Sequence, residues 1–203
     1  MYDFCVQGTP DNDVVVRGSA DGKEALQFLT RQVSGQHSYH WMEDPVTSLI
    51  SSGYLGPEAC RELLESYYRT RAFRFAHHEL LLLGTFLKID KFGTDLIPAH
   101  HVRHLHLQIQ PYSYRSMHSS EPKDPNEILH LQGIEALSAS LTTRSKVIIN
   151  IDLATGFEDD DYCAQPLGGH CEELCLSQID RVIKVLSDKG LQMKTVYSRT
   201  WDG

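Results

Sequence analysis

"AHHVRHLHLQIQP", residues 99–111, carries the alternation that decides the fold. Side chains of a strand point to opposite faces in turn. Leu105, Leu107 and Ile109 therefore share one face, and His104, His106, Gln108 and Gln110 share the other. The first is a core face. The second is polar and rich in histidine. A strand is expected over 102–110.

The pattern stays regular toward the C-terminus. After a polar loop, Asp124–Pro125–Asn126–Glu127 resembles a capping box with proline at the first helical position. Ile128, Leu131, Ile134, Leu137 and Leu141 then recur at helical spacing. "KVIINIDL" (146–153) reads as a buried strand, and "ATGFEDDDYCAQPLGG" (154–169) as an acidic loop. "CEELCLSQIDRVIKVLSDKG" (171–190) reads as a helix with Ile179, Val182, Ile183 and Leu186 inward, and with Gly190 as its stop. "QMKTVYS" (192–198) is a last strand. The order β-α-β-α-β implies parallel strands with right-handed crossovers. The fold class is α/β, with an α+β N-terminal half.

Toward the N-terminus the reading is less regular. "MYDFCVQ" looks like the tail of a helix, and "VVVRG" (14–18) is a short strand. Residues 18–45 are mixed, polar and glycine-bearing, and a mobile segment is expected there. "GPEACRELLESYYRTR" (56–71) opens on a glycine–proline cap and continues as a helix through Cys60, Leu63, Leu64, Tyr67 and Tyr68. "AFRF" (72–75) is a strand, "HHELLLLGTFLKID" (77–90) a helix, and "FGTDLIP" (92–98) breaks it. One domain over 1–203 is expected, with an irregular, helix-rich half over 1–98 and the β-α-β-α-β half over 99–203.

Bulk properties narrow the function. The 203 residues suit one domain with a real core, and 41% hydrophobic content with 23% charged content is that of a globular chain. A net charge of −8 argues against a nucleic-acid partner. Arg69, Arg71 and Arg74 are too few to make a basic patch. No stretch approaches the ~18 apolar residues of a membrane span, so no membrane partner is expected. The five cysteines form no dense disulfide framework, which suits an intracellular protein, cytoplasmic or nuclear.

Two clusters could carry chemistry. His104 and His106 lie two apart on one strand face, and such a pair can bind zinc if further ligands converge. It can equally supply general bases, with Asp95 or Asp152 to orient the rings. The plain alternative is a polar outer face. The second cluster is Cys163, His170, Cys171 and Cys175, four potential zinc ligands within thirteen residues. Their spacing matches no common zinc module, and each cysteine also fits as a small buried hydrophobe. Glu158, Asp159, Asp160 and Asp161 form an acidic run, which reads as a solvated loop or a weak cation site. The pair His77–His78 with Glu79 opens a helix and is a weaker candidate. No phosphate loop, dinucleotide fingerprint or nucleophile elbow is present.

Residues 53–110 resemble, as a whole, a group of filamentous-fungal proteins of F-box-like type. The matching positions are Tyr68, Phe73 and Phe75 in "Y-x-x-x-x-F-x-F", Phe86, Leu87 and Asp90 in "F-L-x-x-D", and Pro98, Val102, Arg103 and Leu105 in "P-x-x-x-V-R-x-L". Residues 1–8 look like the end of the family's F-box-like helix, whose "L-P-x-E-L-R" part is absent. The resemblance implies an α/β scaffold with some likeness to leucine-rich-repeat architecture, and it supplies no catalytic residues. A full F-box binds a Skp1-type adaptor, and the truncated helix argues against that partner here.

The expectation is a non-enzymatic intracellular scaffold or protein-interaction domain without a cofactor. Its binding surfaces would be the polar face at His104 and His106 and the acidic loop at Asp159 and Asp160. The alternatives are a small-molecule enzyme of fungal specialised metabolism using histidine bases, and a zinc protein.

Overall fold

The computed structural model describes residues 13–18, 26–34, 38–109, 133–134, 137, 140–141, 145–152 and 169–198. At 32–34, 38–39, 149–152, 169–175 and 197–198 it describes the backbone alone. Seven strands form one mixed sheet: β1 Val14–Gly18, β2 Leu26–Ser34, β3 Ser38–Glu43, β4 Ala72–Phe75, β5 His104–Ile109, β6 Lys146–Asp152 and β7 Gln192–Ser198. Their order across the sheet is β3-β2-β1-β4-β5-β6-β7. β1, β4, β5, β6 and β7 are parallel neighbours in chain order, and β2 and β3 extend the sheet antiparallel beyond β1. The fold is α/β.

Among the described residues these helices accompany the sheet: α1 Pro45–Ser51, α2 Pro57–Thr70, α3 Leu83–Lys88, α4 Pro98–His101 and α5 Gly169–Asp188. Between β5 and β6, Gly133, Ile134, Leu137 and Ser140 are helical too, and Ile134 and Leu137 are buried as their spacing predicts. Each parallel step moves to the next strand in the same direction. Right-handed crossovers then fall on the same side of the sheet every time. The core agrees with that geometry. Val14, Phe73, Leu105 and Val147 stand in register across four strands, and the helices' buried side chains join them in one cluster.

The centre of that cluster is aromatic. Phe73 packs against Phe86 with ring centroids 5.1 Å apart, against Tyr67 at 5.5 Å edge-on and against Tyr68 at 5.5 Å. Phe28 meets Phe86 edge-on at 5.9 Å. Such tilted and edge-to-face contacts add to the stabilisation from burial. Tyr68, Phe73, Phe75, Phe86, Leu87, Val102 and Leu105 are all buried in this core. Asp90, just past the end of α3, accepts from the backbone N–H groups of Phe92 (3.0 Å) and Leu96 (3.4 Å) and so shapes the 89–97 loop.

Several local expectations need correction. Residues 18–45 contain the β2–β3 hairpin and the start of α1, where a mobile segment is expected. Leu26, Phe28 and Thr30 alternate inward on β2, and pairing with β1 supplies the backbone hydrogen bonds that polar composition alone does not reveal. Four of the seven strands therefore come from the half read as irregular and helix-rich. The helix expected over 77–90 divides into a 3₁₀ helix, His77–Leu82, followed by α3. The first turn has no side-chain cap at Ala76, and the backbone at Leu80 is closely approached by Gly133. α1 and α4 are short and escape a periodicity reading. The stop at Gly190 stands, with φ +84°.

A buried ion pair joins the hairpin to α2. Asp44 is fully buried; its Oδ1 accepts from Val46 N (2.9 Å) as the N-cap of α1, and its Oδ2 accepts from Arg71 Nη2 at 2.8 Å. Arg71 follows the last turn of α2, so one carboxylate ties that helix end to the start of α1.

Candidate functional site

The face of the sheet opposite the core is the only place where the sequence candidates and unexplained polar chemistry coincide among the described residues. β5 shows the expected alternation: Leu105, Leu107 and Ile109 are fully buried, while His104, His106 and Gln108 are half-buried on the other side. In register with His106 stand Arg74 on β4 and Ile148 on β6, and in register with His104 stand Ala72 and Lys146.

One carboxylate organises this patch. Asp13, just before β1, places Oδ2 at 2.9 Å from His106 Nδ1 and 3.1 Å from Arg74 Nη2. An ionised carboxylate only accepts, so His106 donates from Nδ1. Burial by itself would raise the Asp13 pKa. The His106 hydrogen bond, with the positive charge of His106, Arg74 and Arg71, outweighs burial and holds it below its ordinary value. His104 is shifted the other way from a salt-bridged histidine: burial first, then the charges of Lys146, His106 and Arg103, lower its pKa. The two histidines on one face thus differ in their surroundings. His106 is oriented by an acid, and His104 has cationic neighbours.

Among the described side chains, the acid that orients a histidine of this face is Asp13. Asp95 sits in the 89–97 loop with φ +59°, and the side chain of Asp152 is outside the described residues. Sequence reasoning missed Asp13 because its partners are Arg74 and His106, far along the chain and joined to it by strand pairing. Glu79 has a structural role, since its Oε2 accepts from Gly18 N at 3.2 Å. His78 is largely exposed beside it. The three arginines separate. Arg69 reaches Glu65 at 3.7 Å, Arg71 is buried on Asp44, and Arg74 belongs to the Asp13 patch.

The second candidate cluster lies only partly within the described residues. Cys163, Asp159 and Asp160 lie outside the described residues. His170, Cys171 and Cys175 are in the first turns of α5, where the backbone alone is described. Among the described residues no group of three or more His, Cys, Asp or Glu converges to hold a metal ion. His104 and His106 therefore lack a third ligand there. Among the described residues, no helix is long and apolar enough to cross a membrane.

Toward the hairpin the same face carries a different texture. Trp41 is 39% exposed on β3, with the Arg17 guanidinium 5.3 Å from its ring centroid. Leu29 lies between them by register, opposite Val15 and Glu43. The fold and this face define a class: an α/β protein whose sheet is covered on one side by helices and presents a mixed polar and apolar surface on the other. Comparison with protein-family models, curated proteins and solved structures finds no match.

Proposed function

We propose that this chain is a non-enzymatic protein-interaction domain that docks a partner on the open face of its sheet. The observation that carries the reading is the division of the sheet. One face is closed by helices and an aromatic core, and the other leaves Gln27, Arg31, Trp41, Arg74, Lys146 and Lys194 exposed across five strands. A broad, rigid surface with side chains held by strand register suits recognition of a protein surface. The resemblance to F-box-like proteins supports the same reading, since its residues build the scaffold beneath that face and supply no reactive group.

The test is comparative capture from cells that express the protein, followed by reconstitution with purified components. A partner should be held by the wild type and by an Arg181→Glu/Lys184→Glu variant on α5, and lost with Trp41→Ser/Lys194→Glu on the open face. Partners retained equally by all three proteins would sink the reading.

One observation favours a second reading. The Asp13–His106 pair is an oriented imidazole, the arrangement of a general base. In that case His106→Asn abolishes turnover of a small-molecule substrate while leaving the fold intact. A panel of partners bound normally by His106→Asn would separate the two.

A further inference from the structure

The docking reading, on which this inference rests, leaves open what docks; the charge of the face answers it. The chain as a whole is acidic, at −8. The open face is not. By register, Arg17, Arg31, Arg74, Lys146 and Lys194 fall on it, against Asp13, Glu43 and Asp152 among the described residues. Asp13 is already engaged by Arg74 and His106, so it offers little to a partner. Arg31, Lys146 and Lys194 are exposed. A surface whose sign opposes that of its own protein attracts ligands that the rest of the molecule repels, and it steers them to one place.

The cations are interleaved with apolar groups. Trp41 is exposed, and Leu29, Ile148 and Val196 are half-buried on the same face. A nucleic-acid backbone would bring phosphates against Asp13 and Glu43, and it prefers a denser cationic track. A polypeptide can alternate carboxylates with apolar side chains to match. Strands lie ~4.8 Å apart, so the six steps from β3 to β7 span roughly 29 Å, which an extended segment of about nine residues crosses.

We propose that the open sheet face binds an acidic polypeptide segment carrying apolar or aromatic side chains. Its carboxylates meet Lys146 and Lys194, and its apolar groups meet Trp41 and Ile148.

The experiment is fluorescence anisotropy on the full chain with labelled probes: a glutamate–tyrosine random copolymer, polyglutamate, a lysine–tyrosine copolymer and oligothymidylate. Four proteins are compared: wild type, Lys146→Glu/Lys194→Glu, Trp41→Ser, and the α5 control Arg181→Glu/Lys184→Glu. Circular dichroism checks that each is folded, and the single variant Lys194→Glu serves if the double variant is not. The expected result is binding of the glutamate–tyrosine copolymer by wild type and control, weakened about tenfold in Lys146→Glu/Lys194→Glu. Trp41→Ser should weaken it severalfold and erase its advantage over polyglutamate. Equal binding by the face variant and the control would overturn both the inference and the docking face. Tighter binding of oligothymidylate would overturn the acidic-polypeptide assignment. Failure of both acidic probes, with lysine–tyrosine copolymer binding lost in Trp41→Ser, would overturn the acidic assignment and leave the docking face standing.

Discussion

Asp13 Oδ2 accepts from His106 Nδ1 at 2.9 Å, across 93 residues of sequence. The contact joins the segment before β1 to β5, with β4 and its Arg74 between them. It fixes the imidazole's orientation and leaves Nε2 as the ring's other polar atom. The same carboxylate also holds Arg74, and its lowered pKa gives its contribution to stability a pH signature.

A carboxyl whose folded pKa is depressed adds stability that is present above its unfolded value, about 3.9. That stability is lost as pH falls through the folded value. Asp13→Asn should therefore cost about 1 kcal/mol at pH 7, and the gap to wild type should close below about pH 4. Urea titrations of both proteins from pH 7 to 3 measure it. A gap that is constant over that range would show that Asp13 acts by packing alone.

His104 predicts the opposite use of pH. Burial and the charges around it lower its pKa below the ordinary 6.5, so protonation favours the unfolded chain. Its contribution is neutral above about pH 6.5 and becomes a penalty as pH falls through the window beneath. His104→Gln should lose less stability than wild type between pH 7.5 and 5.5. Equal losses, read as urea midpoints, would remove His104 as a cause.

Arg71 and Asp44 form a buried pair, and removing one member leaves the other charge uncompensated. Arg71→Met should cost about 3–5 kcal/mol. Asp44→Ser/Arg71→Met keeps an N-cap group for α1 and removes both charges, so it should recover much of that loss. A double variant no better than Arg71→Met would mean that the cost is lost packing of the arginine side chain.

Gly133 reverses an ordinary rule. Alanine in place of glycine inside a helix commonly gains about 1 kcal/mol. Here a Cβ would collide with the backbone carbonyl of Leu80, and backbone cannot move aside as a flexible side chain can. Gly133→Ala should destabilise by about 1–3 kcal/mol. A raised melting temperature would show that the close approach relaxes without cost.

Much of the fold was legible locally. β1, β4 and β7 fall where "VVVRG", "AFRF" and "QMKTVYS" place them, because alternation and turn residues act over a few positions. α2 opens at Pro57 behind Gly56, and Ile179, Val182 and Leu186 turn inward on α5. The β2–β3 hairpin was hidden. Residues 26–43 mix inward Phe28 with outward Gln27 and Arg31, and only pairing with β1 decides that they are strands. α1 and α4 were hidden by brevity, with too few turns for a period to show.

The candidate site divides in the same way. His104 and His106 were visible, together with the face they share, because two-residue periodicity is a property of any strand. By itself the sequence determined the parallel α/β order and the two sides of β5. The tertiary structure alone decided that Asp13 would orient His106, that Arg71 would be buried on Asp44 while Arg74 stayed on the surface, and that cations from five strands would gather on one face of an acidic protein. Those facts depend on which strands lie side by side. Strand adjacency joins residues far apart in the chain, and no local pattern encodes it.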